Sequence, residues 1–121
     1  MGWNGISEGG GAASEQKKLY IFNGSAQFIS TSTFETGVWY NIAWVFNTSA
    51  NTIKVYINGA LDKTTSITGT FNYTTFTGLG RYSTNTHQLN GKLGNFIIYN
   101  REITASEVLQ NFNVIKGRFG L

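Results

Sequence analysis

Hydrophobic and polar residues alternate with a period of two over much of the chain after residue 18, a pattern typical of half-buried strands. Asn23-Gly24 and Asn58-Gly59 fall between such stretches and predict tight hairpin turns, because these residues tolerate a positive φ. Strands are therefore predicted at 19–22, 26–30, 38–46, 52–57, 60–65, 75–82 and 89–99. We expect short turns to join them into an antiparallel arrangement.

The longest predicted strand, 38–46, has two clearly different faces. Tyr40, Ile42, Trp44 and Phe46 share one face, which we expect to point into a core. The next strand repeats the pattern with Ile53, Val55 and Ile57, and the pattern also favours core positions for Phe28, Phe96 and Phe112.

One helix is indicated near the end of the chain. Thr104 and Glu107 have the spacing of a capping box, in which each side chain bonds the backbone amide of the other residue. Val108, Leu109 and Phe112 then form a short apolar stripe. We expect a short helix against a sheet edge, followed by a tail over 116–121.

The first 18 residues differ from the rest because they are rich in glycine and polar residues. We therefore expect a Gly-rich arm over 1–18 and a β-domain over 19–121. Strands without regular helix alternation predict an all-β fold, an antiparallel sandwich or jelly roll with one short C-terminal helix.

Composition narrows the possible functions. The chain has 121 residues, no Cys, one His, six Asp and Glu residues and a net charge of +3. The lack of Cys excludes disulfides and cysteine-ligated metals. The basic residues are dispersed, which disfavours a nucleic-acid surface. We expect no membrane span and no signal peptide, because no apolar run is long enough for either.

Five motifs follow one another along the chain: the Trp39 strand over 39–46, the hairpin 53–61 with Asn58-Gly59, the Leu79-Gly80-Arg81 strand, the stretch 89–101 ending in Tyr99-Asn100-Arg101, and the closing segment 103–108. Their order resembles the concanavalin A-like lectin/glucanase superfamily, in its laminin-G-like jelly-roll branch. The resemblance covers roughly residues 19–115. It implies a sandwich of the concanavalin A-like type.

Two departures from that family change the expectation. Its members usually carry several strands before the Trp strand, whereas only 38 residues precede Trp39 here. A shortened sandwich would leave bare sheet edges, so we expect a homo-oligomer. The tail over 111–121 is also similar to the ends of laminin-G-like domains in phage structural proteins and marine environmental sequences, which would fit a virion-associated or extracellular protein.

The second departure concerns the acids. The glucanase branch carries alternating acids on one strand, and this chain has no such stretch. Glu107 is explained as a helix cap, while Glu35 and Asp62 are expected in turns. We therefore expect no enzyme activity, with a glycoside hydrolase as a less favoured alternative. We also expect no cofactor, although calcium is possible by analogy with the family.

The remaining chemistry favours sugar binding. Aromatic faces cover the apolar side of a pyranose, and amides and guanidinium groups bond its hydroxyls. The candidates lie in two predicted loops and are Tyr73, Asn72, Arg81, Tyr82, Asn85 and His87. For each, a purely structural or solvated role is the alternative. We expect a noncatalytic module for a glycan or cell-surface polysaccharide, or else an assembly domain of a phage-like particle.

Overall fold

The computed structural model of the protein describes residues 3–7, 17–22, 27–67 and 89–121. Two three-stranded antiparallel sheets and one C-terminal helix make up this part of the chain. The elements are β1 (Trp3–Ser7), β2 (Lys18–Phe22), β3 (Gln27–Thr33), β4 (Ile42–Asn47), β5 (Thr52–Ile57), β6 (Ala60–Ser66) and α1 (Ala105–Phe119). The antiparallel two-sheet architecture with one helix was predicted from the sequence.

The first sheet has the strand order β1-β2-β3. Strand β2 pairs with β3 in the hairpin that the alternation predicted, with Ile21 opposite Phe28. Strand β1 was not predicted, because its residues fall within the proposed Gly-rich arm. This segment pairs antiparallel with β2, with Gly5 opposite Tyr20. The pairing provides partners for its backbone hydrogen-bonding groups, although its sequence shows no strand pattern.

The second sheet has the strand order β4-β5-β6, and the predicted Asn58-Gly59 turn joins β5 to β6. Asn58 and Gly59 have φ values of 51° and 79°, as a type I′ hairpin turn requires. Strand β4 begins only at Ile42, so the prediction of a strand from residue 38 was wrong for its first four residues. Asn41, just before β4, bonds to the turn between β5 and β6: its backbone amide donates to the Asn58 side-chain oxygen at 2.9 Å.

The main core lies between the two sheets. Leu19, Phe28, Phe34, Ile53 and Val55 are buried in it. The predicted core face of the Trp strand is confirmed, because the side chains packed against this cluster are Tyr40, Ile42, Trp44, Phe46, Ile57 and Ile67.

A second core lies on the opposite face of β4 and β5. Val45 and Tyr56 of the sheet are buried together with Ile103, which precedes α1, and Val108 in its first turn. Val108 of the helix therefore packs on a sheet face, and the helix also lies beside β6, the edge strand of this sheet, as predicted. It is also longer than predicted, because it continues through the expected tail to Phe119 and ends at Gly120 with φ 69°.

The prediction of a last strand over 89–99 was wrong. These residues have no regular secondary structure, and each of them is exposed. Phe96, expected in the core, is 54% exposed. Two contacts show that the segment runs antiparallel along α1: Gly94 lies against the ring of Phe119, and the Tyr99 hydroxyl accepts a 2.9 Å bond from Asn111. The predicted strand 75–82 lies outside the described residues.

Candidate functional site

The six residues proposed to bind sugar all fall between residues 68 and 88. Tyr73, Asn72, Arg81, Tyr82, Asn85 and His87 therefore lie outside the described residues. What the structure does describe is the point from which this segment departs. Strand β6 ends at Ser66, and the amide of the next residue, Ile67, donates to the Asn51 carbonyl at 2.7 Å. The segment therefore leaves the sheet beside the β4–β5 turn.

That end of the sheet carries a polar cluster, here called the amide end and formed by Asn47, Asn51, Lys54 and Glu102. Glu102 accepts a 2.6 Å bond from the Asn47 amide group and lies 3.6 Å from the Lys54 ammonium. Asn47 also caps the turn, because its side-chain oxygen accepts from the Ala50 amide at 2.7 Å. Asn51 supplies the positive φ of 51° that this turn needs.

The turn itself, 48–51, is exposed and consists of Thr48, Ser49, Ala50 and Asn51. Its hydroxyl and amide groups can both donate and accept hydrogen bonds, which matches the hydroxyls of a sugar. This turn was not predicted as part of a site, although its run of small polar residues between two strands was the available signal.

Two of the carboxylates, Asp62 and Glu35, bind residues distant from them in the sequence. Asp62 lies in β6, and not in a turn as expected. It accepts bonds from the Thr31 amide at 2.7 Å, the Ser32 amide at 2.9 Å and the Ser32 hydroxyl at 2.5 Å. These hydrogen bonds join β6, an edge strand of the second sheet, to β3, an edge strand of the first sheet. Glu35 forms an exposed ion pair with Lys17 at 3.0 Å.

Glu107 is the carboxylate with the strongest partners. Arg101 donates to both of its oxygens, at 2.6 and 3.1 Å, and the Thr104 amide donates at 2.7 Å. The Arg101 bond, with the Thr104 amide second, lowers the pKa of Glu107 from 4.5 to about 2. The predicted capping box is thereby confirmed, since the Thr104 hydroxyl accepts from the Glu107 amide at 3.2 Å.

The four described carboxylates thus have separate partners and separate places in the fold. The printed bonds of the Glu35, Asp62, Glu102 and Glu107 carboxylate oxygens go to different residues, and Arg101, which binds the Glu107 carboxylate, reaches Glu102 only at its backbone carbonyl. Within the described ranges, no three His, Cys, Asp or Glu side chains come together as a metal site would require. No helix in that same part of the chain is long and apolar enough to cross a membrane.

A second surface feature is the run of residues 93–100, here called the C-terminal strip. It contains no charged residue, and its sequence is Leu93, Gly94, Asn95, Phe96, Ile97, Ile98, Tyr99 and Asn100. Ile97 is 61% and Ile98 73% exposed, which is unusual for adjacent β-branched residues. The strip forms no strand with any residue that the structure describes.

Comparison with known proteins agrees with this architecture. Residues 8–109 match the laminin G family model of the concanavalin A-like lectin/glucanases superfamily, so the chain belongs to that family. The match begins at residue 8, directly after β1, so it includes residues 8–18 of the stretch that was predicted to be an arm. Laminin G-like domains are generally noncatalytic. No curated protein sequence matches the chain.

A solved structure is similar in fold. The crystal structure of residues 221–444 of an S-layer domain-containing protein from Clostridium thermocellum ATCC 27405 aligns with a TM-score of 0.54 at 20% identity. The alignment covers 80% of this chain and 52% of the crystallised one. The chain therefore spans about half of that structure, and the likeness concerns the fold.

Proposed function

We propose that this protein is a noncatalytic binding module that attaches to a glycan or cell-surface polysaccharide. Membership of the laminin G family is the observation that carries the proposal. The separate engagement of the four described carboxylates supports it, because glycoside hydrolysis needs two carboxyl groups on either side of one bond.

The amide end supports the same proposal by its position. The segment with the candidate aromatic residues leaves the sheet beside Asn51, where exposed hydroxyl and amide groups are already present. In the proposed site, Tyr73 and Tyr82 stack on the apolar face of a sugar ring, while Asn72, Arg81, Asn85 and His87 bond its hydroxyls. An extracellular place is compatible with the S-layer domain-containing protein of similar fold.

A glycan array with the whole chain, followed by calorimetry on each hit, tests this function. We expect Tyr73→Ala or Tyr82→Ala to weaken binding about two- to tenfold, since an aromatic contact contributes about 0.5–1.5 kcal/mol. Tyr73→Phe keeps the ring and should retain most of the affinity. Asn113→Ala, on the exposed side of α1, is the matched control. An array without a hit at millimolar sugar would overturn the proposal.

The C-terminal strip favours a second candidate function, that of a domain which assembles with other chains in a particle or surface layer. An uncharged run with half-exposed large side chains is the kind of surface that proteins use for association. A protein that binds no glycan but self-associates would fit this function.

A further inference from the structure

We propose that Asn90 is a site of spontaneous covalent modification, at which its side-chain amide becomes a carboxylate through a succinimide formed with the backbone of Gly91. This chemistry is independent of both proposed functions. An Asn followed by Gly is the most reactive arrangement, because glycine has no side chain to hinder attack by its own backbone nitrogen. The chain contains such pairs at 4–5, 23–24, 58–59 and 90–91. The fold treats them differently.

The Asn90-Gly91 pair is open to reaction. It lies near the start of the stretch 89–99, which has no regular secondary structure, and both of its residues are exposed. A Cβ atom on Gly91 would meet the side chain of Leu89 at 3.6 Å and no other described element. A segment with so few contacts changes conformation at little cost. The Gly91 nitrogen can therefore approach the side-chain carbon of Asn90 without the loss of packing.

The Asn58-Gly59 pair has the same residues in the opposite environment. The Asn58 side-chain oxygen accepts from the Asn41 amide at 2.9 Å, and the Asn58 amide donates to the Asn41 carbonyl at 2.8 Å. Gly59 has a φ of 79° and lies against the ring of Phe112. Attack by the Gly59 nitrogen requires the Asn58 side chain to turn away from Asn41, so these contacts must break first. We therefore expect this pair to be protected by the fold.

A third pair, Asn4-Gly5, lies within strand β1. Its pairing with β2 sets Gly5 opposite Tyr20. Ring closure would take this backbone out of the hydrogen-bonded ladder, so we expect slow reaction here as well. The Asn23-Gly24 pair lies outside the described residues. Among the pairs that the structure describes, Asn90-Gly91 is therefore the expected site of reaction.

The reaction needs water as its co-reactant and no oxidant or reductant. Hydroxide removes the proton of the Gly91 backbone nitrogen, which then attacks Cγ of Asn90. The N–Cγ bond forms, the Cγ–Nδ2 bond breaks, and the departing nitrogen takes a proton from water and leaves as ammonia, which restores the hydroxide. Water then opens the succinimide at either of its carbonyl carbons and gives aspartate or isoaspartate. The net charge of the chain falls from +3 to +2.

Peptide mapping by mass spectrometry, after incubation of the whole folded chain at neutral and mildly alkaline pH, measures the conversion at each pair. We expect Asn90 to react about tenfold faster than Asn58 or more, because two hydrogen bonds must first break at Asn58. The rate should rise with pH, since the attacking nitrogen must lose its proton. An Asn90 that stays intact, or that reacts no faster than Asn58, would overturn the inference.

The same incubation in concentrated urea separates the fold from the local sequence. Unfolding removes the contacts of Asn58, so Asn58 and Asn90 should then react at similar rates. A difference that persists in urea would come from neighbouring residues and would contradict a role of the fold.

Two variants at the exposed pair test the chemistry. Gly91→Ala hinders the attacking nitrogen and should slow the conversion clearly, while Asn90→Gln would require a larger ring and should leave this peptide unchanged. Circular dichroism of both variants checks that the fold is retained, as expected for two exposed positions without regular secondary structure. Conversion of Gly91→Ala at the rate of the unchanged chain would exclude the succinimide route.

Discussion

Gly59 of the β5–β6 turn lies against the ring of Phe112 in α1. A Cβ atom on Gly59 would be 2.9 Å from Phe112 Cδ1 and 3.0 Å from Leu109 Cδ1. The turn thus meets two requirements at once, a φ of 79° and a close approach to the helix.

Replacement of this glycine should therefore cost more than backbone strain alone. We expect Gly59→Ala to lower the free energy of unfolding by about 2–4 kcal/mol, from the left-handed φ and the overpacking together. Gly37→Ala is a matched control, since its φ is 83° but nothing lies within 4 Å of the added Cβ. It should cost only about 1–2 kcal/mol. Urea unfolding measures both, and equal losses would refute the packing contribution.

The bonds of Asp62 to β3 should stabilise the two sheets against each other. Asp62→Ala removes three hydrogen bonds between the sheet edges and should lower the free energy of unfolding by about 1–3 kcal/mol. Glu35→Ala removes an exposed ion pair with Lys17 and should change it by about 0–1 kcal/mol. If denaturant titration finds the two variants equally stable, the Asp62 bonds do not hold the sheets together.

Helix α1 offers a test of the second core. Val108 is 1% exposed beneath the helix, whereas Val114 is 78% exposed on the same helix. We expect Val108→Ala to cost about 2–3 kcal/mol, because it leaves a cavity against Val45 and Tyr56. Val114→Ala should stay within about 0.5 kcal/mol. Thermal or urea unfolding distinguishes them, and a small effect at Val108 would mean that α1 does not cover this sheet face.

The low pKa of Glu107 predicts an acid dependence of stability. The folded pKa of about 2 lies below the ordinary value of 4.5, so the carboxylate contributes stability above pH 4.5. That contribution should be lost as the pH falls from 4.5 towards 2. We expect Glu107→Gln to flatten the pH profile of unfolding in this window. An NMR titration of Glu107 checks the pKa directly, and a midpoint near 4.5 would contradict the bidentate Arg101 contact.

Several parts of the fold could be predicted because their signals are local. The Asn58-Gly59 turn follows from residues that accept a positive φ, and the Thr104–Glu107 box follows from side chains that reach their own backbone. The inward face of β4 follows from the period of two. Tyr73 and the other proposed sugar contacts remain predictions, since they lie outside the described residues.

Other parts could not be predicted, because they depend on partners distant in sequence. Strand β1 exists through pairing with β2, although its own residues resemble a loop. Large apolar residues occur both in the paired strand β4 and in the stretch 89–99, where they are exposed and form no strand. Asp62 bonds residues 30 and 31 positions earlier, a contact for which no motif exists.

The sequence by itself therefore determined the class of fold, the Asn58-Gly59 turn, the helix cap and the side chains of β4 and β5 that face the main core. These depend on backbone preferences and periodicity within a few residues. Only the tertiary structure decided that Val108 of α1 packs on a sheet face, that Asp62 joins the two sheets and that an apolar strip remains on the surface. Burial is a property of which elements meet, and the same hydrophobic pattern is compatible with a strand inside a sheet or with a surface that binds another chain.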